Sequence, residues 1–429
     1  MKRGGASGRT PARRLAFIAV QILAVVLLAE VAIRVAAPRH HGLKMMLNAS
    51  TDATEFDDTR TLPELMNRTM LGFSPGSVQY GFRLNSRSFR TREYDLGPAP
   101  DRFRVAALGD SFTFASGGLP HGEHWTTLTE SRLAAGMDRR VEVLRFGVPD
   151  TGPKFQLRLW QIEVAKLEPD AVVVGFFVGN DFVDNQRVGG VLAPQQGGIG
   201  GGLASVSALV RVIRNAIRVR RAAPTGARGG EGWFDADEVQ PGEPVPGYAE
   251  AFEPDRPTFR HEDFIAIEAR RMALCLRSQE PVFNGLAGLV TSVLLELVAE
   301  VEATGARCVI MLIPDQYQVD GNLVDEILRA EGSSLEDYDL DRPQRELSAV
   351  LEAAGVEVLD LLPEFRRAAR HGALYRPRDT HWNSRGNRVA ADALAERLLA
   401  GEGFAPRALF ADGLESGSAG AWSEVGGRD

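Results

Sequence analysis

Four short segments of this sequence carry side chains that could do chemistry together. Gly109-Asp110-Ser111-Phe112 follows one apolar run, Phe146-Gly147-Val148-Pro149 follows another, and a third runs into Gly179-Asn180-Asp181. The fourth, Asp379-Thr380-His381-Trp382-Asn383, precedes the last helical pattern. A serine hydroxyl becomes a useful nucleophile only when a base takes its proton, and histidine titrates in the range suited to that task. The imidazole needs an acceptor on its other nitrogen to fix tautomer and orientation, and Asp379 stands close to His381 in sequence. A developing oxyanion needs donors. The backbone NH groups of Ser111 and Gly147 and the side-chain amide of Asn180 would supply them. Taken singly, each segment reads as ordinary turn chemistry. Together, in this order, they are the parts of an acyl-transfer site.

Such parts meet only if the chain places the segments at one edge. Five runs rich in Val, Ile, Leu and Phe, at 103–108, 141–146, 171–177, 307–313 and 356–361, read as buried strands of a mostly parallel sheet. Helical patterns lie between them at 126–135, 155–167, 282–303 and 343–354, and a last one at 384–399 places Val389, Ala393 and Leu394 inward. In the helix at 155–167, Phe155, Leu159 and Ile162 share one face. The alternation predicts a three-layer α/β/α sandwich, in which ligands bind outside the carboxyl ends of the strands. The four segments stand at those ends.

At this point the chain resembles the SGNH, or GDSL-type, hydrolase family. The likeness begins at Asn85-Ser86-Arg87-Ser88-Phe89-Arg90, similar to a segment of membrane-anchored bacterial members. It continues through Gly109-Asp110-Ser111-Phe112-Thr113-Phe114, Gly147 and Gly179-Asn180-Asp181, and ends with Asp379-Thr380-His381-Trp382-Asn383 and Gly386. The resemblance implies an SGNH/flavodoxin-like fold with Ser111 as nucleophile, His381 as base, Asp379 as its acid, and Ser111, Gly147 and Asn180 as the oxyanion hole. No cofactor and no metal are expected. Two departures stand out. Asp379 and His381 enclose one residue where the family commonly has two, a spacing similar to the polysaccharide O-acetylation branch. Ser88 occupies a position where related chains carry Gly, which bears on backbone shape.

Other residues invite a functional reading and receive a plainer one. His121 and His124 sit in a Gly/Pro-bounded loop without a paired acid and read as exposed loop residues. Trp382 reads either as a platform for a sugar ring or as packing under the final helix. Asp110 and Asp181 read as turn acceptors, because a hard cation would want more carboxylates. Cys275 and Cys308 lie in apolar stretches and read as one disulfide or as two buried thiols.

The chain has 49 Lys+Arg against 57 Asp+Glu over 429 residues, a net charge of -8, which argues against nucleic acid as a partner. The charge is unevenly spread. Residues 1–40 hold seven Lys/Arg and one Glu, and 203–221 holds five Arg and no acid. The N-terminal excess precedes a largely apolar stretch at 15–37, long enough to cross a hydrocarbon core of ~30 Å. By the positive-inside bias, 1–14 stays cytoplasmic and everything beyond 37 lies outside. The expected order is a basic segment at 1–14, a transmembrane anchor at 15–37, with a cleaved signal peptide as the competing reading of that stretch, and a juxtamembrane segment at 38–100. A catalytic domain at 101–405, with an insertion at about 185–282, and a loose tail at 406–429 complete it. Within the insertion, Gly-rich 189–202 and 222–232 flank an amphipathic helical pattern at 203–221, which reads as a surface helix or as a contact with an anionic membrane.

The expected function is that of a membrane-anchored extracytoplasmic serine esterase acting on an O-acyl ester, acetyl first among them. The substrate would be a small molecule or a polysaccharide. An alternative is an O-acetyltransferase of a cell-surface or secreted polysaccharide, with a membrane partner handing over the acyl group. A third is a catalytically idle carbohydrate-binding or scaffolding module on the same fold.

Overall fold

The computed structural model describes residues 60–67, 75–79, 81–116, 119–184, 239–245 and 253–401, with short pieces at 21, 25–33, 35, 51–52 and 187–188. The pattern at 203–221, its Gly-rich flanks, the tail and most of 1–50 lie outside the described residues.

The central sheet has five strands, β1 (Arg102–Gly109), β2 (Arg140–Gly147), β3 (Ala171–Phe177), β4 (Arg307–Ile313) and β5 (Glu357–Asp360), in the order β2-β1-β3-β4-β5. Every neighbouring pair is parallel. The apolar runs form strands because both faces are covered, so side chains pointing either way are buried. On one face Ala106, Leu108, Val172, Val174, Ile310 and Leu312 join one core; on the other Val105, Ala107, Val173, Val309 and Met311 join a second. Helices α2 (Trp125–Gly136) and α10 (Ser384–Gly401) cover the second core, and α3 (Pro153–Ile162), α6 (Glu280–Glu302) and α8 (Arg342–Ala353) cover the first. This is the expected three-layer sandwich. In α10 the inward face is turned slightly from the expected one: Ala390, Ala391, Leu394, Ala395 and Leu398 are buried, while Val389 and Ala393 are half-buried.

Strand β1 has β2 on one side and β3 on the other, although β2 comes between them in sequence. The chain therefore reverses direction across the sheet at β1, and the crevice outside the carboxyl ends of β1 and β3 is where an open α/β sheet receives its ligand. Helices α1 (Ser111–Phe114) and α4 (Asp181–Asp184) start at those two ends.

The insertion is not confined to loops. Its last part forms α5 (His261–Met272), which packs Phe264, Ile265 and Met272 against Tyr317, Leu323, Val324 and Ile327 in a third, smaller core. Leu323, Val324 and Ile327 belong to α7 (Gly321–Glu331), and a short α9 (Leu362–Ala369) follows β5. Cys275 and Cys308 are both buried free thiols rather than a disulfide. Burial pushes the Cys275 thiol up to about 12.

Among the described residues, Arg277–Glu302 is long and apolar enough to cross a membrane. It contains α6, which buries Phe283, Val290, Leu294 and Leu297 against the sheet and leaves Val282 and Leu289 exposed. Residues 25–33 of the expected anchor are helical, with Val25, Leu27, Leu28 and Val31 exposed; most of the rest of 15–37 is outside the described residues.

Ser88 has φ 71, in the left-handed region. Asn85 builds this turn: its Oδ1 accepts from the NH groups of Arg87 at 3.0 Å and Phe89 at 2.9 Å, and its Nδ2 donates to the Arg92 carbonyl at 3.2 Å. A side chain in that region costs about 1–2 kcal/mol, partly offset by the extra freedom glycine would have when unfolded. Ser88→Gly is expected to raise stability by roughly 0.5–1 kcal/mol, read as a higher urea midpoint. A lowered midpoint would mean that the serine side chain more than repays the strain.

Candidate active site

The nucleophile candidate stands at the first position of α1. Asp110 caps that helix: its Oδ1 accepts from the Phe112 NH at 2.9 Å, and its carbonyl accepts from the Phe114 NH at 3.0 Å. The far end of α1 terminates at Ala115 in the left-handed conformation, φ 68. Arg90 completes that end. Its guanidinium donates to the carbonyls of Phe114 at 3.1 Å, Ala115 at 2.6 Å and Leu119 at 2.9 Å, and stacks on the Phe82 ring at 3.1 Å. A cation satisfying carbonyls at a helix C-terminus is favourable on both hydrogen-bonding and electrostatic grounds. The segment at 85–90 thus acts on the site by holding the short helix that presents Ser111.

Helix α1 runs close over the end of β2. A Cβ on Gly147 would lie 2.1 Å from the Phe114 nitrogen, so no other residue fits there without moving α1. On the far side of β1, a Cβ on Gly179 would lie 2.1 Å from Oδ2 of Asp315. Both glycines permit close approach of neighbouring chain.

The Asp-x-His loop closes the site from the last third of the chain. His381 Nε2 lies 2.9 Å from Ser111 Oγ, and its Nδ1 lies 2.7 Å from Asp379 Oδ1. An ionised carboxylate only accepts, so Nδ1 carries the proton and Nε2 offers its lone pair to the serine hydroxyl. Burial alone would push the Asp379 carboxyl up. The charge of the His381 ring, their hydrogen bond, the Arg376 guanidinium and the Thr258 hydroxyl outweigh it and bring Asp379 down to about 2. The one-residue spacing works because Asp379 Oδ1 also accepts from the His381 backbone NH at 3.0 Å, which folds the loop into a tight turn.

Three of the expected residues, Ser111, His381 and Asp379, therefore form one hydrogen-bonded chain. Gly147 and Asn180 sit at the flanking strand ends. The Asn180 amide donates to Asp184 Oδ2 at 2.7 Å, which fixes its rotamer and leaves one NH for other use.

Residues 289–412 match the family described as SGNH hydrolase-like domain, acetyltransferase AlgX. The match includes Asp379 and His381, and the structure joins them to Ser111. That stretch of the chain is similar to an SGNH hydrolase-like domain. Similar solved structures include the acetyl xylan esterase AlAXEase, at 14% identity and TM-score 0.35, covering 69% of this chain and 99% of that one. A catalytic mutant of Axe2, an acetylxylan esterase from Geobacillus stearothermophilus, is 13% identical at TM-score 0.35 and covers 73% and 100%. A lipolytic G-D-S-L protein from Veillonella parvula is 13% identical at TM-score 0.33 and covers 68% and 96%. No curated protein matches the chain.

Several side chains around the site depart from expectation. His124 is fully buried rather than exposed: it caps α2, and its Nε2 lies 3.0 Å from the Phe112 carbonyl. A carbonyl only accepts, so Nε2 is protonated and Nδ1 takes the Thr126 bonds. Burial, and then the nearby Arg145, holds His124 well below the usual histidine range, so it stays neutral. His121 contacts Arg145, and burial and that charge bring it down to about 3. Trp382 is buried edge-on against Phe112 at 4.9 Å and beside Phe365 at 4.9 Å, so it is packing and no sugar platform.

Asp110 and Asp181 are turn acceptors, the latter taking the Phe177 NH at 2.9 Å. Burial raises Asp110 to about 6, and raises Asp184 to about 7 with help from the charges of Asp150 and Asp110. Asp181 is pushed well up by burial and by Asp110. Among the described residues there is no cluster of His, Cys, Asp or Glu that could hold a metal ion.

Proposed function

We propose that this protein is a membrane-anchored extracytoplasmic serine esterase that acts through an acyl-enzyme on Ser111. The single observation that carries this reading is the continuous chain from Ser111 Oγ through His381 to Asp379, with bonds of 2.9 Å and 2.7 Å. In it His381 takes the serine proton as the hydroxyl attacks an ester carbonyl, then returns it to the leaving alcohol. Water, activated by the same imidazole, releases the acid. The NH groups of Ser111 and Gly147 and the free NH of Asn180 are the proposed oxyanion donors. Asp379 holds the tautomer and balances the imidazolium.

Acetyl is the acyl group proposed first; Phe112, Ala115, Leu119, Trp382 and neighbours line a small cleft of about 10 Å³ beside His381. Transfer to a polysaccharide hydroxyl instead of water is favoured by one observation, the match to the acetyltransferase AlgX domain over 289–412. Both reactions share the same acyl-enzyme, and the acceptor decides between them. The proposed anchor at 15–37 and the location of the body outside the membrane rest on the basic flank and the apolar run. Residues 101–405 form the proposed catalytic domain.

The test is to trap the intermediate. The protein is mixed with an aryl acetate, quenched in acid and digested, and the peptide holding Ser111 is expected to carry an acetyl group that Ser111→Ala lacks. Supplying an acetyl-free oligosaccharide then separates the reactions: acetylated product means transfer, and free acetate alone means hydrolysis. No adduct, with no acetate released, would sink both.

A further inference from the structure

The two oxygens of Asp379 have different partners. Oδ1 is taken by the His381 backbone NH and by Nδ1 of its ring. Oδ2 accepts from Arg376 Nη1 at 3.1 Å and from Thr258 Oγ1 at 2.5 Å. Arg376 belongs to the same loop as Asp379, whereas Thr258 lies 121 residues earlier, in the insertion between β3 and α6.

The threonine is held in register by main-chain bonds. Its NH donates to the Pro377 carbonyl at 3.3 Å, and the Phe259 NH donates to the Arg378 carbonyl at 3.0 Å. Residues 258–259 of the insertion therefore run alongside the Asp379 loop, and α5, which starts at His261, fixes them to the domain through the third core. Asp379 is only 1% exposed, so water cannot readily replace a lost donor. With Arg376 alone on Oδ2, the carboxylate gains freedom to turn about its Cβ–Cγ bond. That turn carries Oδ1 away from the imidazole.

We propose that Thr258 is a positioning residue: its hydroxyl locks the Asp379 carboxylate, so the long insertion completes the acid–base relay that works on Ser111. The inference rests on the acyl-transfer reading for its effect on rate. It gives the insertion a stated task, since a segment distant in sequence supplies one of the bonds that orient His381.

Valine keeps the β-branched shape and the main-chain bonds of threonine while deleting the hydroxyl, and serine keeps the hydroxyl. The full-length Thr258→Val and Thr258→Ser proteins are compared with the unchanged protein in two ways. The first is kcat and KM for an aryl acetate across pH. The second is the proton NMR signal of the hydrogen between His381 Nδ1 and Asp379 Oδ1. Thr258→Val is expected to lower kcat about tenfold, as misorientation of a catalytic group does, with KM within about twofold and the NMR signal displaced or broadened. Thr258→Ser is expected to restore both. A valine protein equal to the unchanged one in kcat and in signal, or a serine protein as impaired as valine, would overturn the proposal. The signal is read without turnover, so the two readings can fail separately. A protein inactive on aryl acetates sinks the acyl-transfer reading, while a valine-specific change in the signal still supports the role of Thr258 and its absence still overturns it.

Discussion

Ser111→Ala and His381→Ala are each expected to lower kcat/KM for an aryl acetate by about 10³-fold or more, and the double variant by little beyond either single one. The reason lies in the 2.9 Å contact between Ser111 Oγ and His381 Nε2. Without the hydroxyl there is no atom to carry the acyl group, and without the imidazole the hydroxyl keeps its proton at neutral pH. The two act as one unit, so their losses do not add. The measurement is initial-rate hydrolysis, with the urea midpoints of all variants compared as a check on folding. His381 is about one-fifth exposed at its side chain, so its removal should leave stability nearly intact. Activity of either variant within a few-fold of the unchanged protein would remove Ser111 and His381 from the chemistry.

Arg90→Ala is the second large effect, and it falls mainly on stability. Arg90 is 1% exposed and serves the carbonyls of Phe114, Ala115 and Leu119. Removing it leaves those acceptors buried without their charged donor and opens a gap above the Phe82 ring. At about 1–3 kcal/mol for each orphaned buried group, with partial relaxation, a loss of roughly 3–5 kcal/mol is expected. Activity should fall too, because α1 loses what holds its C-terminal end. Arg90→Lys should recover little of the stability, since one ammonium cannot span those carbonyls with a planar fork and also stack on a ring. Equilibrium urea denaturation measures the first effect, and acetate release by the protein that remains folded measures the second. A shift in stability below about 1 kcal/mol would show that the carbonyls find other donors.

Much of the scaffold was legible because its strands are buried on both faces. A run such as Ala171–Phe177, apolar at every position, has one plausible place, the middle of a covered parallel sheet. Ser111 was legible from its place at the end of β1, whereas Asp379 and His381 lie in the loop between α9 and α10 and were marked by their one-residue spacing and their order after the serine. What escaped was encoded less locally. Helix α5 carries Glu262, Asp263, Glu268, Arg270 and Arg271, and it buries Glu268 beside Arg271 and Asp315, so its apolar stripe is broken by charge. Helix α7 did carry readable signals, the Asp320 cap and the left-handed Gly332 at its end. His124 looked like a loop residue, because nothing nearby in sequence announces that a carbonyl of α1 will cover it. Thr258 lies among Pro and charged residues without periodicity, and its importance arises only from a partner far along the chain.

The bond between Ser111 and His381 joins residues 270 positions apart. A growing polypeptide that has already made β1, β2 and β3 holds a serine with no base, and so has nothing with which to attack an ester. The proposed relay is complete only when the final third of the chain has folded back and α10 has docked beside α2. On the proposed function, translation order works as a built-in delay: the chain gains its Ser111–His381 pair only after synthesis has passed residue 381.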